Sequence, residues 1–186
     1  MPELKDQMRL FHGSYCEVQK PDLARCARFK DFGRGFYLTS SKEQAVNFAH
    51  ISARKAIEKG MIPPQRFGVV STFTFVSSGD LDVLDYPAAD INWLHCVVGH
   101  RRNRFFTEEV HNLTHYDVIS GKIANDSTNV TITAYLDGLY GETGSENADR
   151  ICISLLLQER LQDQYCFRTE KALRTLCFER SEQIWL

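Results

Sequence analysis

Long apolar runs are missing from this chain. No stretch approaches the roughly 20 residues needed to cross a bilayer, and no basic start leads into an apolar segment of the signal-peptide kind. The expected setting is therefore the cytoplasm, with no membrane partner. Proline is scarce, 5 residues in 186, and no tract rich in Pro, Gly or Ser divides the sequence. Nor does any internal repeat, so a single domain over residues 1–186 is expected. Cysteine pairs are missing as well: Cys16, Cys26, Cys96, Cys152, Cys166 and Cys177 contain no CxxC. They read as small core fillers in a reducing compartment. Charge of one sign is not in excess, since the formal net charge is -2 and the pI near 6.3. Nucleic acid would then have to be met by a local patch. The one basic cluster, His100 to Arg104, reads as a solvated helix end whose cations suit the C-terminal dipole.

Cofactor signatures of the common kinds are also absent. There is no Walker loop and no GxGxxG following a strand, which argues against P-loop and Rossmann sites. His111 and His115 stand four apart, as metal ligands on a helix do, but Glu108 and Glu109 precede them and the HExxH order is not there. No metal is expected.

What is present is a mixture of short strands and helices without a βαβ rhythm. Met8 to Phe11 reads as a strand running into His12-Gly13-Ser14, and Phe36-Tyr37-Leu38 as a second. Ser40 with Glu43 suggests a capping box, and Ala45, Phe48, Ala49, Ala53, Ala56 and Ile57 share one face of the helix that follows. Val69 to Val76 and Leu81 to Leu84 suggest an antiparallel pair around Ser77-Ser78-Gly79-Asp80. Ile91, Leu94 and Val98 have helical spacing, and Tyr116 to Ser120 returns to strand before a loop over Gly121 to Asp126. Val130 to Leu136 is ambiguous and leans to helix. An amphipathic helix runs from about Ala148 to Gln162, Tyr165-Cys166-Phe167 is a strand, and Thr169 caps a short helix through Leu176. Cys177 opens a last strand.

Three of these short strands carry a pattern. Leu10-Phe11-His12-Gly13-Ser14, Gly33-Arg34-Gly35-Phe36-Tyr37-Leu38 and Asp163-Gln164-Tyr165-Cys166-Phe167 resemble, in order, the three motifs of ADP-ribosyltransferases of the poly(ADP-ribose) polymerase branch. Each motif is short, and their order gives the match its specificity. With Asp31 to Thr39, Tyr116 to Asp126 and Gln164 to Leu173 added, nearly the whole chain is similar to the uncharacterised bacterial DUF3990-type proteins of that superfamily.

The resemblance implies an α+β ADP-ribosyltransferase fold, a split antiparallel β-sandwich with flanking helices and NAD+ in the cleft between its sheets. It implies a mono-ADP-ribosyltransferase that cleaves NAD+ at the nicotinamide-ribose bond, acting as the toxin of a toxin-antitoxin or phage-defence pair with a cognate antitoxin as partner. The acceptor is left open among protein, nucleic acid and small molecules. His12, Tyr37 and Gln164 are the expected catalytic positions. His12, Gly13, Ser14, Arg34, Gly35, Tyr37 and Phe48 are the expected NAD+ contacts.

The residue types suit such chemistry. Leaving nicotinamide makes the ribose an oxocarbenium-like cation, so the site must hold the departing ring and stabilise the sugar. The resemblance has His12 bond the adenosine ribose; a packed strand-end histidine is the plainer reading of an isolated one, and the coupling to Gly13, Gly35 and Tyr37 favours the functional reading. Gly13 would offer its backbone to the carboxamide, and Tyr37 its ring face to the pyridinium. Phe48 is either a second wall or core, and Arg34 either a pyrophosphate contact or a solvated loop charge. Gln164 departs from the polymerases' glutamate. An amide can hold a ribose hydroxyl but cannot activate an acceptor, which implies one transfer, or hydrolysis, without chain elongation. Asp163 points to the opposite strand face, Glu170 falls in the next helix, and Asp126 is a helix cap or a facing acid. NAD glycohydrolase, and a catalytically inactive NAD+ or ADP-ribose binding module, are the alternatives.

Overall fold

The computed structural model describes residues 3–123, 126–156 and 161–185. Among the described residues seven strands form two sheets. The first joins β1 (Arg9–Ser14), β3 (Phe67–Phe75) and β7 (Leu176–Trp185) in the order β1-β3-β7, antiparallel throughout. The second joins β2 (Phe36–Leu38), β6 (Asp163–Phe167), β5 (Val118–Lys122) and β4 (Val83–Asp85) in the order β2-β6-β5-β4. Six helices accompany them among the described residues: α1 (Lys42–Glu58), α2 (Ile91–Arg101), α3 (Thr107–Asn112), α4 (Asp126–Leu136), α5 (Glu146–Ser154) and α6 (Glu170–Leu173). The protein is thus a mixed α+β fold, and none of its described helices is long and apolar enough to cross a membrane.

Strand alternation builds the layers. Leu10, Phe36, Leu38, Phe73, Tyr165 and Phe167 turn inward from both sheets and form the core between them. The opposite face of the first sheet takes α1, whose Ala45 and Ala49 lie against Val70. The opposite face of the second takes α2, α4 and α5 around Trp93, Ile119, Ile132 and Tyr135. Small residues on α1 permit close approach: a Cβ added at Gly13 would stand 2.0 Å from the Ala45 carbonyl oxygen, so only glycine fits there.

Several sequence expectations need correction. Ser41, not Ser40, caps α1 by accepting from the Gln44 N–H. The hairpin around Ser77 to Asp80 does not form. Both edges of β3 are taken by β1 and β7, so β4 joins the other sheet, where it runs parallel to β5. A parallel pair needs a crossover, and α2 and α3 supply it, so one βαβ connection interrupts an otherwise antiparallel sheet. β5 extends through Gly121 and Lys122, in place of the expected loop. The short helix capped by Thr169 stops at Leu173 and the last strand starts at Leu176. Ala124, Asn125, Gln158 and Arg160 lie outside the described residues. Cys96, Cys152 and Cys166 are buried as core fillers, but Cys16 and Cys177 are exposed and Cys26 is half-buried. His111 lies in the last turn of α3, which ends at Asn112, and His115 lies beyond it, so one helix does not present both.

Candidate functional site

The two sheets are tied at the edge of β1. Phe11 and Thr39 exchange backbone bonds of 2.8 and 3.0 Å, and beyond them the strands part. Backbone groups of an antiparallel strand alternate between its edges, so Gly13, two residues on, turns its N–H and C=O to that same parting edge and away from Val70, its partner in register. The α1 helix that makes Gly13 obligatory also brings Phe48 beside it, with the Phe48 Cβ 2.9 Å from the point a Gly13 Cβ would occupy and 41% of the residue exposed. Ser14 closes β1, buried opposite Val69.

His12 sits where the strands part. Its Nδ1 donates to the Tyr37 carbonyl oxygen at 2.8 Å. A carbonyl can only accept, so the proton is fixed on Nδ1 and the neutral ring offers Nε2 as an acceptor. Burial pushes its pKa below the ordinary 6.5, partly opposed by the Tyr37 bond, which keeps the ring neutral. The ring rests on Phe36, centroid to centroid 4.4 Å.

Tyr37 is held by its hydroxyl, which donates to Gly33 O at 2.8 Å and accepts from Phe32 N at 2.9 Å. Burial raises its pKa well above the ordinary range, so the phenol stays protonated. These bonds fold the Asp31 to Gly35 turn back onto the sheet. Gly33 takes a left-handed φ of 77°, and a Cβ at Gly35 would meet Cys166 Sγ at 2.4 Å. Tyr37 pairs with Cys166, and Gln164 lies two residues along the same strand, so all three face the helical side of the second sheet. Diagonal neighbours of this kind lie about 7 Å apart. His12 and Tyr37 are therefore in direct contact, while Gln164 belongs to the Tyr37 face and has no contact with His12 among the described residues.

Gln164 is buried, and its amide nitrogen donates to Asp31 Oδ2 at 2.8 Å and more weakly to Lys122 O at 3.4 Å. Asp31, also buried, receives Arg101 through Nε at 2.8 Å and Nη2 at 2.6 Å on its other oxygen. Sequence reading misses both members of this brace on Gln164. The basic cluster suggests a solvated helix end for Arg101, yet α2 turns it inward, and His100 beside it is buried with Nδ1 donating to Cys96 O. Only the tail of that cluster is free of the core, with Arg104 over the Phe105 ring.

The remaining expected residues fall outside this group. Arg34 is exposed and its Nε donates to Leu23 O at 2.7 Å, closing the loop on itself. Asp163 pairs with Lys122 at 2.9 Å, and Glu170 is exposed in the first turn of α6. Asp126 opens α4, and its side chain lies outside what the structure describes. Among the described residues no group of three His, Cys, Asp or Glu side chains is placed to hold a metal ion.

Fold and site together define a two-sheet α+β protein with His12 and the Gly13 edge where β1 and β2 part, and with Asp31, Arg101 and Gln164 joined on the helical side of the second sheet. The chain belongs to the family described as a protein of unknown function, DUF3990, which it matches over residues 8–178, from the approach to β1 into β7. No curated protein and no solved structure matches it.

Proposed function

We propose that the chain is a mono-ADP-ribosyltransferase that takes NAD+ at the parting of β1 and β2. The observation that carries this reading is the backbone edge of Gly13 beside a neutral His12 whose proton is fixed by the Tyr37 carbonyl. A planar carboxamide needs one donor and one acceptor side by side, which a free strand edge supplies. The Nε2 of His12 suits a ribose hydroxyl, and the exposed Phe48 beside Gly13 can flank the pyridinium opposite Tyr37.

In the reaction the bond between ribose C1′ and the nicotinamide nitrogen breaks. Its electron pair leaves with the ring, which becomes neutral, and C1′ becomes cationic. An acceptor nucleophile closes on C1′ and gives up its proton to solvent water. Gln164 can accept a hydrogen bond from the ribose but cannot take that proton, so a single transfer is expected. The resemblance adds the biological setting, a toxin restrained by a cognate antitoxin.

Incubation with NAD+ labelled in the adenosine half and with cell extract tests the proposal. Nicotinamide release with label on a macromolecule or small acceptor, abolished by His12→Ala, is the expected result. Release of free ADP-ribose without any acceptor selects an NAD glycohydrolase, a reading favoured by the same lack of a base at Gln164. Tight NAD+ or ADP-ribose binding with no turnover selects a binding module. No binding and no turnover sinks the proposal.

A further inference from the structure

The Asp31 carboxylate is buried on a turn between two strands, and its partners come from 70 and 133 positions away. An ion pair to Arg101 alone would anchor the turn to α2. The contact to Gln164 does something more specific. A glutamine amide is nearly symmetric in shape, so its orientation is decided by neighbours. Here the neighbours on the nitrogen side, Asp31 Oδ2 and Lys122 O, are both acceptors. The oxygen cannot take the nitrogen's place without setting oxygen against oxygen. The Oε1 atom is thereby turned away from Asp31 and Lys122.

We infer that Asp31 is the positioning residue of the site: it holds the Gln164 amide with the oxygen turned outward as an acceptor, and its charge excludes a glutamate at that position. The catalytic arm of this inference rests on the NAD+ reading, whereas the coupling between residues 31 and 164 does not. Arg101 completes the arrangement by clamping one Asp31 oxygen through two nitrogens, while Gln164 donates to the second. A carboxylate at 164 would face that second oxygen across 2.8 Å. The glutamine of this chain and its buried aspartate are thus one coupled choice. An acid and an amide share one hydrogen bond, and exchanging the two should preserve it.

The test compares the wild type with Gln164→Glu, Asp31→Asn and the exchange variant Asp31→Asn/Gln164→Glu. Thermal unfolding is followed at pH 7.5 and pH 5, and NAD+ binding by calorimetry. Gln164→Glu is expected to unfold several degrees lower at pH 7.5 and to recover part of that loss at pH 5, where the two carboxyls can share a proton. The exchange variant should unfold above Gln164→Glu at pH 7.5, because the amide introduced on the turn can donate to the carboxylate introduced on β6. Asp31→Asn frees the Gln164 amide to turn its nitrogen outward, and NAD+ binding should weaken about tenfold, the loss of one hydrogen bond of about 1.4 kcal/mol. Equal midpoints for wild type and Gln164→Glu at pH 7.5, or no gain in the exchange variant, overturn the inference. Should neither glutamate variant fold, the wild type decides: Gln164 side-chain amide protons held by Asp31 exchange slowly with solvent and do so faster in Asp31→Asn, whereas exchange at the free rate in the wild type overturns it. If no chain binds NAD+, the proposed function fails while the unfolding pattern still settles the role of Asp31.

Discussion

Around His12 the polar groups are neutral and tied to backbone: a ring fixed by a carbonyl, a bare strand edge, a phenol bonded to two peptide groups. At the Gln164 end they are charged and tied to side chains, through an aspartate and an arginine from distant parts of the chain. Backbone-fixed groups can be disturbed only by moving a strand. Side-chain-fixed groups can be disturbed one substitution at a time, each leaving a buried partner exposed to its own desolvation cost. The first end is accordingly robust in chemistry and intolerant in shape, and the second is the reverse.

The largest effect should come from Arg101→Met. It keeps much of the volume but leaves the Asp31 carboxylate buried with its main cation gone, and about 3–5 kcal/mol of stability should be lost in urea titration. A loss under about 1 kcal/mol would mean that the two ends do not differ as described. Next in size is Gly13→Ala, which tests shape at the other end. The methyl would press on the Ala45 carbonyl and the Ala49 nitrogen, both backbone, so α1 must lift. At least about 3 kcal/mol should be lost, and a near-neutral result would show that α1 is free to shift.

Acid gives a smaller and separable effect. Burial holds the pKa values of His12 and His100 below 6.5, so as pH falls the unfolded chain takes up protons before the folded one. Their contribution is whole above about pH 6.5 and drains as pH descends toward the folded values. Glu179, which the Thr74 hydroxyl holds below the ordinary 4.5, gives up its share only at still lower pH. Unfolding midpoints at pH 7, 6 and 5 should fall in the wild type and fall less in His100→Asn. An identical slope in both chains would remove His100 from the account. The smallest expected change in stability is Phe48→Ala, under about 1 kcal/mol because the residue is 41% exposed. The same variant should weaken NAD+ binding severalfold, and unaltered calorimetric affinity would return Phe48 to a surface role.

The neutral end is readable from sequence. His12, Gly13 and Tyr37 sit on strands announced by local patterns, and a strand's alternation says which way its neighbours face. The charged end is not readable in the same way. Asp31 shows in sequence only as the first residue of a turn before two glycines, and Arg101 only as one cation in a basic run. Their meeting with Gln164 depends on how α2 packs across the second sheet, which no periodicity records. The pairing of β4 escapes sequence reading for a related reason. Ser77-Ser78-Gly79-Asp80 is good turn chemistry, and Gly79 does take a left-handed φ of 74°. Turn residues permit a reversal without choosing the strand's partner, and here long-range pairing with β7 occupies the edge of β3 that a hairpin would need.

The place of β6 has a consequence for how the molecule comes into being. It is wedged between β2 and β5, so the second sheet has a gap at its centre until residues 163–167 have left the ribosome. Gln164 arrives with that strand, and the Asp31 turn has nothing to brace until then. One segment, translated after both of its neighbours in the sheet, thus delivers the closing strand together with the residue that the Asp31 turn braces.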